Sequence, residues 1–240
     1  MARQDGFYDE ETYEAFSDED VRRDFVRNVY SVLSLQLLFT TAMIALFTFS
    51  DEVQEWALDN LWVMWVGMGV FLFSYLALVC YESVRRSFPM NFIFLVLLTV
   101  GMSFIASYAT LQYGTRIILI TAGLTCAVCI TVTIIACVCP VDITGCGGIL
   151  CLIGLGVSIF SMVAMVLIVF FKMKFLILVL SGVMVALFTA YLMYDTQMIM
   201  GGKRLEMSPE EYILGSVQLY IDIIYIFIYL LPLVNACCDE

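Results

Sequence analysis

Seven stretches of the chain are nearly free of charge and long enough to cross a bilayer: residues 29–49, 61–80, 92–111, 117–139, 148–171, 175–200 and 212–234. A helix rising 1.5 Å per residue needs about 20 apolar residues to cross a hydrocarbon core about 30 Å thick. Membrane barrel strands need only about ten residues and alternate in polarity, which these runs do not. Backbone groups in hydrocarbon must be satisfied within the segment, so the pattern predicts an all-α integral membrane protein, a seven-helix bundle. The last segment is open to two readings, a full span or a re-entrant return to the side it came from. Residues 1–28 read as an acidic, disordered tail and 235–240 as a short C-terminal tail, leaving no room for a soluble catalytic domain.

Local signals sharpen two of the predicted helices. Ser208, Pro209 and Glu211 fit an N-cap, a first helical position and a capping box ahead of the seventh segment. In the sixth, Gly182, Ala186 and Ala190 recur every four residues and predict a close helix–helix approach.

A mean hydropathy of +0.98, with 62% hydrophobic and only 14% charged residues, agrees with a chain that lives in lipid. The net charge of −11 is lopsided, because residues 1–20 hold eight acids against Arg3. Such a segment has too little apolar surface to pack, and its sign excludes nucleic acid as a partner. The first apolar run follows about 28 polar residues, unlike the short basic start of a cleavable signal peptide. There is no histidine, and the nine cysteines lie mostly in apolar runs. The Cys126–Cys129 pair has no second ligand pair at zinc spacing, so Cys126, Cys129, Cys137 and Cys139 read as packing residues. Cys237 and Cys238 follow the last span, where reversible acylation occurs, and the final four residues lack a prenylation signal.

Counted on alternate sides of the spans, Arg3, Arg22, Arg23, Arg27, Arg85, Arg86, Lys203 and Arg204 face Arg116, Lys172 and Lys174. Bases collect on the cytosolic side, which places the N-terminus in the cytosol. The loop from Ser50 to Asn60 on the opposite side carries four acids and no base.

Against this background two aspartates stand out, Asp195 in the sixth span and Asp222 in the seventh. Ionisable residues at such depth are costly, turn inward and mark function. Asp222 lies about 21 Å along its helix from Ser208, and Asp195 about 9 Å from Gly201, at 1.5 Å per residue. A helical hairpin can bring them level. Gly215, Gln218, Asp222, Tyr225 and Tyr229 share one helical face, and Tyr191 sits one turn before Asp195. Two carboxyls in contact share a proton and titrate as a unit, and their deprotonated oxygens are hard ligands for calcium. The plainer alternative is that each is satisfied separately and only ties helices together.

The run from Phe25 to Leu37, the loop from Arg85 to Asn91, Tyr194-Asp195-Thr196-Gln197, Ser208-Pro209-Glu210-Glu211-Tyr212 and Tyr220-Ile221-Asp222-Ile223-Ile224, in this order, resemble the Lifeguard branch of the transmembrane Bax-inhibitor-motif family. The resemblance covers residues from about 22 to 234. It implies a seven-helix bundle of endoplasmic reticulum, Golgi or related membranes that leaks calcium in a pH-sensitive way and suppresses apoptosis. It also implies a di-aspartyl sensor at Asp195 and Asp222. In bacterial relatives an arginine of the second helix latches onto this sensor; the second span here has no base, so only Arg85 or Arg86 at its end can take that role. Two features depart from the family: relatives often carry a base near the aspartate matching Asp142, and the acidic tail replaces the proline- and glycine-rich tail of the glutamate-receptor-associated members. Partners of that tail are therefore not carried over.

The resulting expectation is a pH-sensitive calcium leak channel of intracellular membranes with an anti-apoptotic role. It has no tightly bound cofactor, and calcium is the permeant ion held transiently by Asp195 and Asp222. The alternative is a non-conducting regulator of apoptosis or calcium stores that works through membrane-protein partners. A cytosolic N-terminus and short loops argue against a seven-helix receptor. An enzyme is not expected, since no oxyanion stabiliser or substrate cleft accompanies the two acids.

Overall fold

The structure, a computed structural model, describes residues 5–238, with the side chains of residues 19–238 except Lys174. Nine α-helices form among them: α1 (Asp5–Phe49), α2 (Asp51–Asp59), α3 (Trp62–Cys80), α4 (Glu82–Arg86), α5 (Met90–Thr110), α6 (Thr115–Val138), α7 (Gly147–Phe171), α8 (Lys174–Met200) and α9 (Tyr212–Cys238). Seven are long and apolar enough to cross a membrane, the exceptions being the short connectors α2 and α4. The chain is a multi-pass membrane protein.

The N-terminal boundary expected at residue 28 is too late. α1 is already helical at Asp5, and its packed part starts before residue 28. Phe25, Val29 and Leu33, at four-residue intervals, are at most 5% exposed and belong to the main core. Arg22 donates to the Met207 carbonyl at 2.8 Å and pairs with Glu206 at 3.1 Å. The aliphatic stripe thus reaches further back than a count of uncharged residues shows, because isolated arginines can point out of a packed helix.

α9 forms the axis of the bundle. It packs on α1, α5, α6 and α8, and buries Ile213, Val217, Tyr220, Ile226 and Leu231. It runs unbroken for 27 residues through Pro232, about 40 Å at 1.5 Å per residue. The last segment is therefore one continuous helix long enough to span, with no re-entrant turn in it. α7 packs on α8 at the edge of the bundle and is buried only at Ala164 along its length.

The close approach predicted around Gly182 lies elsewhere. A Cβ on Gly182 would meet nothing within 4 Å, whereas one on Gly101 would fall 2.6 Å from the Gly67 carbonyl oxygen and 2.8 Å from the Phe71 nitrogen. The tight crossing joins α3 to α5, and only glycine fits it. The expected packing role of the α6 cysteines also holds only in part. All nine cysteines are free; Cys126 and Cys137 face outward, and Cys129 and Cys139 are half-buried.

Candidate functional site

α8 and α9 pack along each other, and their paired faces carry the two aspartates inward. Asp195 is 6% exposed and Asp222 4%. Their carboxyl groups face each other within hydrogen-bonding reach. A hydrogen bond between two carboxyls needs a proton on at least one of them. Asp222 Oδ2 is buried and receives no N–H or O–H donor. Among the described residues neither aspartate forms a salt bridge. Tyr75 of α3 and Tyr191 lie within electrostatic reach of both carboxyls, and Cys129 of α6 within reach of Asp222.

The polar face expected around the pair is put to other uses. The Tyr191 hydroxyl turns away to the Leu150 carbonyl of α7, at 2.9 Å. Tyr225 and Tyr229 stack with Phe188 of α8, at centroid distances of 4.6 and 6.2 Å, so their rings clamp the hairpin just beyond the carboxyls. Gln218 Oε1 is buried and unpartnered.

Arg85 and Arg86 do not reach the aspartates. Arg85 donates to Glu211 at 2.8 Å, with the two side chains only 16% and 15% exposed. Arg86 pairs with Glu82 at 3.0 Å and with Glu210 and Glu211 at 3.4 Å. The acids that open the α9 region lie nearer to α4 than the midplane pair does, and they take both guanidinium groups. This recruitment also undoes the expected capping box. Ser208 makes no side-chain cap, and residues 209–211 form a 3₁₀ turn closed by the Glu211 amide on the Ser208 carbonyl. A bond to Arg85, charged on both sides, outcompetes the reach back to an uncharged backbone N–H.

A second constellation, which the sequence reading passed over, locks the loop after α6 onto the end of α8. Asp142 accepts from the Thr144 hydroxyl at 2.6 Å, the Thr144 amide at 2.9 Å and the Arg204 amide at 2.9 Å. The Thr144 hydroxyl bond, then that of the Arg204 amide, hold its carboxyl below the ordinary value of 3.8. Gln197 bridges the Ile143 amide and the Val141 carbonyl, both at 3.0 Å, and Lys203 reaches the Cys139 carbonyl at 3.1 Å. The signal was local: an aspartate two residues before a threonine, the pattern of an Asx turn. Tyr75 had a fainter one, since it and Ser74 are the sole hydroxyl-bearing residues of α3.

The family model for "Inhibitor of apoptosis-promoting Bax1" matches residues 22–237. Human protein lifeguard 3 is 38% identical over 220 residues, covering 92% of this chain and 71% of that protein, and its mouse counterpart is 36% identical over 221 residues, covering 92% and 72%. Mouse protein lifeguard 4 is 30% identical over 224 residues, covering 90% of this chain and 86% of that protein. A family match over nearly the whole bundle, together with relatives this similar along most of their own length, shows that this chain belongs to the Bax-inhibitor family of membrane proteins, in its Lifeguard branch.

Proposed function

We propose that this chain suppresses apoptosis from an intracellular membrane, endoplasmic reticulum or Golgi, by leaking calcium under the control of the Asp195–Asp222 pair. The observation that carries this reading is the carboxyl–carboxyl contact inside the bundle, with no Lys or Arg partner among the described residues. With one proton the pair is a closed hydrogen bond between α8 and α9. Without it, two like charges face each other in a medium that screens them poorly, and the contact must open or take a cation. Calcium suits the exposed oxygens because it prefers oxygen ligands and tolerates irregular geometry. Two features support the apoptotic side: the name of the matching family and the likeness to the lifeguard proteins.

The N-terminus lies in the cytosol on this reading. Arg22, Arg85, Arg86, Lys203 and Arg204 gather at one end of the bundle through their contacts with the α8–α9 connection, Glu211 and the Asp142 loop. That end has the excess of bases that cytosolic faces carry.

Calcium efflux from liposomes holding the purified chain, followed from pH 5 to pH 8, tests the proposal. The expected result is a leak whose rate changes across that range and whose pH response disappears in Asp195→Asn and Asp222→Asn. Protein shown to be folded that passes no calcium at any pH would overturn the leak and favour a regulator acting through membrane-protein partners.

A further inference from the structure

A second polar column runs through the bundle on the opposite side of α9, since Tyr220 and Asp222 are two residues and so about 200° apart on the helix. α5 presents Thr99, Ser103, Ser107 and Thr110 at i, i+4, i+8 and i+11, one continuous face. All four are at most 6% exposed. α1 meets them with Gln36 and Thr40, and α9 with Tyr220, none more than 4% exposed. Gln36 Nε2 donates to Thr99 Oγ1 at 3.0 Å, and the Thr40 hydroxyl lies 2.8 Å from Ser103 and 2.7 Å from Tyr220.

Hydroxyls in a membrane helix are commonly hidden by bonding back to the preceding turn, as Thr99, Ser103 and Thr110 do here. Such bonds and the interhelical ones suffice to explain a column that only holds helices together. They do not explain two buried atoms that meet no protein partner, Gln36 Oε1 and Ser107 Oγ. Each such atom costs about 1–3 kcal/mol unless water satisfies it.

The column also has an open outer end. Past Thr110 lies a cavity of about 240 Å³ between the α1–α2 corner and the α5–α6 turn, lined by Thr48, Asp51, Gln54, Thr110 and Tyr113. Its inner end is shut: Val29, Leu33, Leu95, Leu98 and Val217 form solid core on the far side of Gln36 and Thr99. From Phe49 to Gln36 is 13 residues, or about 20 Å, so the column reaches roughly half-way through a span.

We propose that the Thr110–Ser107–Ser103–Thr40–Gln36 column is the water-filled outer arm of the permeation path, leading a hydrated cation from the Asp51 cavity to the midplane. This rests on the calcium-leak reading above. Water at Ser107 and Gln36 completes their hydrogen bonds, and the column's hydroxyl and amide oxygens replace part of the cation's hydration shell. Tyr220, whose hydroxyl closes on Thr40, stands at the inner end, and the carboxyl pair lies across α9 from it.

The test uses Thr40→Val and Ser107→Ala, singly and together, in the full-length chain in liposomes. Both replacements keep the side-chain volume close to the original, so folding is expected to survive. The double variant should slow calcium efflux about tenfold, as a barrier raised by about 1.4 kcal/mol would. The pH midpoint set by the aspartates should stay where it is. Ser158→Ala, which removes an exposed hydroxyl bonded to its own helix, should change nothing. A second readout is independent of flux: hydroxyl-radical labelling from water excited in place should mark Tyr220 in the parent, although it is fully buried, and should lose that mark in the double variant. A parent that leaks, with the double variant leaking equally fast, would overturn the column as the path while leaving the leak intact. A parent that does not leak would defeat the calcium reading, and an unlabelled Tyr220 would then overturn the water-filled column as well.

Discussion

At the basic end of the bundle Glu211 lies 2.8 Å from Arg85, Glu206 lies 3.1 Å from Arg22, and Asp142 is held by three hydrogen bonds. In the interior, Asp195 and Asp222 face each other and pair with no cation among the described residues. The two regions contain the same functional group in opposite circumstances. A carboxylate matched to a guanidinium acts as structure. A carboxyl matched to another carboxyl is held together only by a proton, so its bond exists in one protonation state and fails in the other. The two kinds lie close along the chain, Glu211 in the turn that leads into α9 and Asp222 towards the middle of that helix. On the proposed reading, the fixed end supplies an anchor against which a switchable middle can move.

The largest effect expected from breaking this contrast is at the anchor. Arg85→Ala leaves the largely buried Glu211 with only the longer 3.4 Å contact to the more exposed Arg86, and removing the nearer partner of such a pair destabilises by up to about 3 kcal/mol. The Arg23–Asp20 pair has side chains 78% and 66% exposed, so Arg23→Ala should cost less than about 0.5 kcal/mol. Unfolding in detergent micelles measures both. Equal losses in the two variants would show that Arg85–Glu211 is no more of an anchor than a surface pair.

In the middle of α9 the expected change is in response rather than in stability. Asp222→Asn puts an amide where the shared proton was, and the amide can donate to Asp195, so the fold should lose no more than about 1 kcal/mol. The proton-dependent contact is gone, and with it the pH response of efflux between pH 5 and pH 8. Asp195→Asn and the double variant should behave alike, because residues that act as one unit do not add. Additive effects of the two single variants would mean that the acids work separately, each as a packing residue.

Much of this contrast was legible in the chain, and the illegible part has a common cause. The spans and the aspartate pair follow from hydropathy and from the expense of a carboxyl in lipid, properties that a residue carries wherever the chain places it. The partners of Arg85, Glu211 and Tyr191 depend on which helices lie side by side, and no local pattern encodes that. Glu211 illustrates the point: its position three residues after Ser208 is a sound capping signal, and a guanidinium from a helix some 125 residues away overrides it. The Gly67–Gly101 crossing was missed for the same reason, since neither glycine belongs to a four-residue series of small residues, while Gly182 heads a visible one with Ala186 and Ala190 and yet has open space beside it. Asp142 was a different kind of miss, because its Asx pattern with Thr144 was there to be read.

Asp142 also gives the smallest predicted effect and the cleanest control for the pair. Its carboxyl sits below the ordinary value of 3.8, chiefly through the Thr144 hydroxyl and the Arg204 amide, so its folded-state value is lower than its unfolded one. A depressed acid contributes its full share above the unfolded value and loses it as pH falls through the folded one. That window lies below about pH 4, so Asp142 is constant over the range in which the aspartate pair would act. Asp142→Asn keeps one acceptor oxygen for Thr144 and loses the one that receives the Arg204 amide. Amide exchange at Arg204 and Leu205 should therefore quicken severalfold at pH 7, since Leu205 donates to the hydroxyl of the same Thr144 at 3.1 Å. The pH midpoint of efflux should not move, because the loop is loosened without a change in any group that titrates near neutrality. A shifted midpoint in Asp142→Asn would place part of the sensing at the end of the bundle and dissolve the division between a fixed end and a switchable middle.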